Sequence, residues 1–176
     1  MSPMPRTDRL PVAARRRPSG LLAILILAGC ASSGAEVGAQ DLARCVPAER
    51  YLTESLGMVA ETGPDMLDDW RTDRMLPGCR VTAAGSTALE MGDVAENLYA
   101  GLFATAWERT PDPQDAPNES SYRLRQGETD CLFSFYHNIV IGTPAEFRVM
   151  NTLVIPPGEK RYNVLAQCVP AMDSNG

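Results

Sequence analysis

Residues 121–168 read SYRLRQGETDCLFSFYHNIVIGTPAEFRVMNTLVIPPGEKRYNVLAQC, and this stretch decides the fold class. "SYRLRQ" (121–126) turns through Gly127 into "DCLFSFYHNIVI" (130–141). "AEFRVMNTLVI" (145–155) then turns through Pro156-Pro157-Gly158 into "KRYNVLAQC" (160–168). Apolar and polar side chains alternate with a period near two, which places every second residue on one face of a strand. The expectation is four strands in two hairpins. Phe133, Phe135, Phe147, Val149, Leu153, Tyr162 and Val164 would form their apolar face.

What covers that face lies upstream. Met91, Val94, Ala95, Leu98, Tyr99, Leu102, Phe103, Ala106 and Trp107 recur at steps of three and four, one broad stripe of a helix over 88–107. Thr87 with Glu90 three residues later has the form of a capping box. "CRVTAAG" (79–85) alternates as a short strand, and the three prolines of "TPDPQDAPNES" (110–120) end the helix in a loop. Before these, residues 41–60 suit a short helix started by Pro47, and 61–79 a second short helix or turn around Met66, Leu67 and Trp70. The fold class is therefore α+β: one long amphipathic helix packed on a four- to five-stranded, mainly antiparallel sheet, with short N-terminal helices. It occupies residues 41–170 as a single domain, with 171–176 as a disordered tail.

The first thirty residues have a different character. Arg6, Arg9, Arg15, Arg16 and Arg17 precede the apolar run Leu21–Ala28, which is shorter than the ~20 residues needed to span a bilayer. A basic segment, a short apolar segment and small residues at its end describe a secretory leader over residues 1–29. Leu27-Ala28-Gly29-Cys30 resembles the lipobox of bacterial lipoprotein precursors. The resemblance implies cleavage before Cys30 and acylation of its thiol and of the new amine. Two or more acyl chains hold a protein stably at a membrane where one does not. Ala31 after the cysteine implies passage to the outer membrane where there is one, and otherwise the outer face of the cell membrane. Small and polar residues 30–40 read as a flexible tether from lipid to domain.

Downstream of the leader the chain holds 11 basic and 21 acidic side chains, against 16 and 22 overall. That acidic excess argues against nucleic acid as a partner, since phosphate binding draws on basic patches. Cys45, Cys79, Cys131 and Cys168 form an even set in an exported chain, without CxxC or CxxH spacing, and read as two disulfides and no metal site. Following strand directions through a helix that recrosses the sheet places Cys168 beside Cys79. The expected pairs are Cys79–Cys168 and Cys45–Cys131. Inversion of the order by the 110–120 loop would instead give Cys45–Cys79 with Cys131–Cys168.

Few residues suggest chemistry. His137, the only histidine, falls on a strand with no nucleophile or carboxylate beside it in sequence. Asp112, Asp115, Asn118 and Glu119 carry oxygen donors, but lack the alternating ligands and central glycine of a calcium loop. Phosphate loops, GxSxG and HExxH are absent, so no catalytic residue and no cofactor are assigned. "DMLDDWRTDR" offers Trp70, Arg71 and Arg74 as an interaction surface, since tryptophan and arginine are favoured at protein interfaces. The function expected is that of a lipid-anchored, non-enzymatic envelope domain that binds another envelope protein. A small-ligand binder with a cavity lined by Tyr99, Phe133 and Tyr136 is the alternative, and a hydrolase a more distant one. Intact-mass measurement checks the anchor. The wild-type chain should lose residues 1–29 and gain acyl mass, and Cys30→Ser should remain an unacylated precursor. A wild-type chain without acyl mass would overturn the anchor.

Overall fold

The computed structural model describes residues 38–69, 72–110, 121–139 and 141–172, all within one compact unit. In chain order these form α1 (Ala39–Ala43), α2 (Val46–Arg50), a π-helical turn (Tyr51–Ser55), β1 (Val59–Asp69), β2 (Arg74–Thr87) and α3 (Met91–Phe103). There follow β3 (Glu108–Arg109), β4 (Ser121–Gln126), β5 (Thr129–Tyr136), α4 (Pro144–Thr152) and β6 (Lys160–Pro170). The strands form one sheet of order β1-β2-β6-β5-β4-β3, antiparallel throughout. The α+β class holds. The sheet has six strands rather than four or five, and its helical cover is shared by α1, α2, the π-helical turn and a shorter α3 instead of one long helix. Cys30 and the leader lie outside the described residues, as do 111–120.

The first hairpin forms as its sequence suggests. Gly127 takes a positive φ of 57°, which closes β4 onto β5 with Gln126 opposite Thr129. Tyr122, Leu124, Cys131, Phe133, Phe135, Tyr162, Val164, Ala166 and Cys168 then share one face with Cys79, Val81 and Ala83. On that face Val94, Leu98, Tyr99 and Leu102 of α3 pack with Ala48, Tyr51 and Leu52 from the N-terminal segment. Tyr51 donates a hydrogen bond to the carbonyl of Leu98 at 3.0 Å. It reaches α3 because Gly101 has no side chain, since a Cβ there would stand 2.0 Å from the tyrosine oxygen. Helix α3 starts at Met91 after Glu90, not at a Thr87 capping box. The Thr87 hydroxyl accepts from the N–H of Leu89 instead. The helix stops at Phe103, and Trp107 enters the core from the segment beyond it, edge-on to Phe133 at 5.1 Å.

Two expected elements are corrected. Residues 61–69 and 74–79 form strands where a second short helix or turn was expected, with Asp69 opposite Arg74 across the β1–β2 hairpin. The expected strand over 145–155 is helix α4. Thr143 accepts from the N–H of Glu146, and the Glu146 carboxylate accepts from that of Thr143, with Pro144 in the first turn. This reciprocal cap and the fixed φ of proline outweigh a short alternating run. Phe147 and Val149 would share a face in a strand but lie ~200° apart on a helix. Accordingly Val149 is buried and Phe147 exposed. Leu153 follows the helix, so neither Phe147, Val149 nor Leu153 belongs to the apolar face of the sheet.

Helix α4 packs on β1 and β2. Its anchor is Glu146, only 1% exposed, whose carboxylate accepts from the Tyr136 hydroxyl and from the N–H groups of Ile141 and Thr143. Burial and that carboxylate together push the Tyr136 hydroxyl well above its ordinary titration range. The opposite end of the chain also differs from expectation. Ala39 and Gln40 belong to α1. The N–H of Ala171 donates to the carbonyl of Glu128 at 2.9 Å, and that of Met172 to Asp130 at 3.3 Å, so the fixed chain continues past 170.

Removing a buried acceptor leaves its donors unsatisfied, at ~1–3 kcal/mol each. Glu146→Ala should therefore lower unfolding free energy by at least ~2 kcal/mol in urea titration of the oxidised protein. Thr143→Ala, which removes only the cap, should cost ~1 kcal/mol. Equal effects of the two would contradict the anchoring role of Glu146.

Candidate functional site

The four cysteines occupy one level of the molecule. Cys79, Cys168 and Cys131 are successive cross-strand partners on β2, β6 and β5. Cys45, at the start of α2, lies above this row. The bridges are Cys45–Cys79, with Cα atoms 6.0 Å apart, and Cys131–Cys168. The expected pairs Cys79–Cys168 and Cys45–Cys131 are thus replaced by the sequential ones. Cys168 does lie beside Cys79. However, β6 is antiparallel to both β2 and β5, which brings Cys131 to the same level on its other side. The error follows from α4: with 145–155 helical, β5 and β4 run opposite to the directions assigned from four strands in two hairpins. Each bridge spans fewer than forty residues, worth roughly 4 kcal/mol in the chain-entropy model.

This level defines one end of the domain. Arg44, just before Cys45, donates to the carbonyl of Glu128 in the β4–β5 turn, and Ala171 donates to the same carbonyl. The N-terminal segment that would lead to Cys30 therefore enters beside the β4–β5 turn and the end of β6. A groove of about 460 Å³ opens here, lined by Val46, Pro47, Arg50, Tyr51, Trp107 and Gln126 among others. The Gln126 Oε1 is buried with no hydrogen-bond partner. The sheet separates the residues of the expected cavity, Tyr99, Phe133 and Tyr136. Tyr99 and Phe133 are packed under the helices, and Tyr136 points to the α4 side of the sheet.

The opposite end has another composition. Thr87 is paired with Lys160 and Tyr136 with Asn163, so β2 and β5 leave the sheet, and β6 enters it, at the same end. The connections there carry Leu89, Ile139, Ile141, Val154 and Ile155, all exposed, with Val154 84% exposed. They account for half of the large exposed apolar side chains among the described residues. Lys160 pairs with Glu90 at 3.1 Å and Ser86 donates to Glu159 beside them, giving the apolar side chains a polar border. Strand β6 alone has eleven residues, so the two ends lie ~33–36 Å apart.

The residues singled out from the sequence do not converge. Trp70 and Arg71 lie outside the described residues, and Arg74 is exposed at the start of β2. Their neighbourhood is a folded-over hairpin rather than a charged helix. Asp65 accepts from Gln167 at 3.0 Å, and Asp69 meets Arg123 of β4 at 3.6 Å with both side chains buried. Strands β1 and β4 are separated by three others in the sheet order, so this contact requires the hairpin tip to cross the sheet face. Gly78 permits the close crossing, since a Cβ there would meet the Cys168 carbonyl oxygen at 2.1 Å. His137 is exposed just beyond β5, edge-on to Phe135 at 5.9 Å.

Sequence reasoning missed the apolar end because Ile139, Ile141, Val154 and Ile155 were read as strand residues and Leu89 as part of the helix over 88–107. "NIVI" and "LVI" alternate or run apolar as buried strands do. No helix among the described residues is long and apolar enough to cross a membrane. No protein-family model, curated protein or solved structure matches the chain.

Surface side chains outside packed networks change stability little. Val154→Ser should alter unfolding free energy by less than ~0.5 kcal/mol in urea titration. A loss above ~2 kcal/mol would assign Val154 to the core and remove it from any docking surface.

Proposed function

We propose that this is a lipid-anchored envelope protein whose domain docks another envelope protein through the apolar end formed by Leu89, Ile139, Ile141, Val154 and Ile155. The observation that carries the reading is the position of that end. It lies across the length of the sheet from the point where α1 and Arg44 enter the domain beside the β4–β5 turn. Exposed apolar side chains with a polar border suit a protein surface better than bulk water. The disulfides fit an oxidising compartment outside the cytoplasm. Arg74 at the start of β2, with Trp70 and Arg71 near it in sequence, becomes a secondary contact in this reading.

The small-ligand alternative moves from the expected cavity to the groove beside Trp107. The unpartnered Gln126 acceptor there favours a ligand with a hydrogen-bond donor and an apolar body.

A photo-crosslinking amino acid at position 154 of the full-length, lipidated chain tests the docking reading in intact envelopes. The expected result is a discrete protein adduct at 154, reduced at least tenfold by Ile139→Asp and Ile155→Asp together, with none from the same probe at position 128. Lipid adducts alone at 154, or equal protein adducts at 154 and 128, would overturn it.

A further inference from the structure

Four sulfurs from four separate elements meet at one level. The Sγ atoms of Cys45, Cys79 and Cys168 all lie within 4.8 Å of one another, and Cys131 is bonded to Cys168. Cys168 is the direct cross-strand partner of Cys131 on one side and of Cys79 on the other. Directly opposed residues of antiparallel strands have Cα atoms ~4.5–5.5 Å apart, within the span a disulfide bridges. The Cys168 sulfur thus has two neighbours that can bond to it, and the Cys79 sulfur has two as well, Cys45 and Cys168.

We infer that Cys168 is the branch point of an intramolecular thiol–disulfide exchange, which Cys45 closes by occupying Cys79. When Cys45–Cys79 is reduced, or not yet formed, the Cys79 thiolate attacks the Cys168 sulfur. The Cys79–Cys168 bond forms as the Cys131–Cys168 bond breaks. Cys131 leaves as the thiolate and takes up the proton that Cys79 gave up. The exchange is redox-neutral and needs no oxidant. Reopening a completed Cys45–Cys79 bridge needs two electrons and two protons from a dithiol reductant. All four cysteines are at most 1% exposed. A dithiol therefore acts on the cluster before α1, α2 and α3 cover the sheet, and docking of Cys45 ends the exchange. The covalent state of the core is then decided by the helical layer and not by the sheet, whose register suits either bridge at Cys168.

Mapping the disulfides of full-length Cys45→Ser and Cys131→Ser variants tests this, after equilibration in a glutathione redox buffer and trapping with acid and N-ethylmaleimide. In Cys45→Ser, Cys79–Cys168 and Cys131–Cys168 should both occur, with Cys131–Cys168 the more populated, because Cys168 makes the closer, non-hydrogen-bonded kind of cross-strand pair with Cys131 and the wider, hydrogen-bonded kind with Cys79. Cys79–Cys131 should be missing, since β6 holds those residues two strand spacings, ~9.5 Å, apart. In Cys131→Ser, Cys79 should divide between Cys45 and Cys168. Only Cys131–Cys168 in the first variant, or only Cys45–Cys79 in the second, would overturn the proposal. So would all three bridges in Cys45→Ser, the mark of scrambling in an unfolded chain, where loop lengths alone would favour Cys131–Cys168 over Cys79–Cys168 by about fourfold.

Discussion

The pairing of β2 with β6 is the contact on which the rest of the molecule depends. It joins residue 79 to residue 168 and so closes almost the whole domain into one sheet. Neither strand is an edge, and each is buried on both faces over much of its length. Once they are in register, Cys79 and Cys168 stand side by side, β5 aligns Cys131 in the same row, and the apolar face acquires its continuous surface of Val81, Ala83, Val164, Ala166 and Phe133. A slip of one residue would turn all of these to the other face and put charged and amide side chains under the helices. Long-range closure of this kind costs loop entropy before it gains contacts, and the two bridges offset part of that cost.

The two faces of the sheet are stabilised by different physics. Under α3 and the N-terminal helices the contacts are apolar, with aromatic edges fitted to one another as in Trp107 against Phe133. On the other face, polar groups are buried: Asp69 with Arg123, Asp130 with Arg125, and Glu146 with Tyr136 and two backbone donors. Such groups are poor sources of net stability but severe penalties if unpaired. They favour this crossing of the β1–β2 hairpin and this seat for α4, because leaving any of them unpaired would be costly. Arg148 with Glu61, at the outer edge of α4, is the exposed member of this set, and its hydrogen bonds hold the Glu61 carboxyl below its ordinary range.

This division leaves the features on which the proposed function rests at the two ends of the sheet. At one end the N-terminal segment is tied to central strand β2 by Cys45–Cys79, so force on a tether would pass into the sheet and not into a short helix held only by packing. At the other, three connections carry apolar side chains that the core does not use.

By itself, the amino-acid sequence determined the α+β class, the β4–β5 hairpin with its glycine turn, the apolar stripe of α3 and the presence of two disulfides. All of these rest on local periodicity, turn chemistry or an even cysteine count. The leader and the Cys30 box are readings of local pattern as well, and they lie outside the described residues. Only the tertiary structure decided three other matters. Residues 144–152 became helix because the reciprocal cap of Thr143 and Glu146 competes with a short alternating run that suits either conformation; the T-P-A-E signal was present but was outweighed by Phe147 and Val149. Residues 59–69 and 74–87 became the long paired strands β1 and β2 because β1 gains its partners from β2 and from side chains four strands away, none of them visible in local spacing. The disulfide pairing depended on strand direction, which one misassigned element reversed, and the placement of Ile139, Ile141, Val154 and Ile155 outside the core followed from the same reversal. Local sequence sets which conformations are inexpensive; burial and the satisfaction of buried polar groups, which involve residues far apart in the chain, select among them.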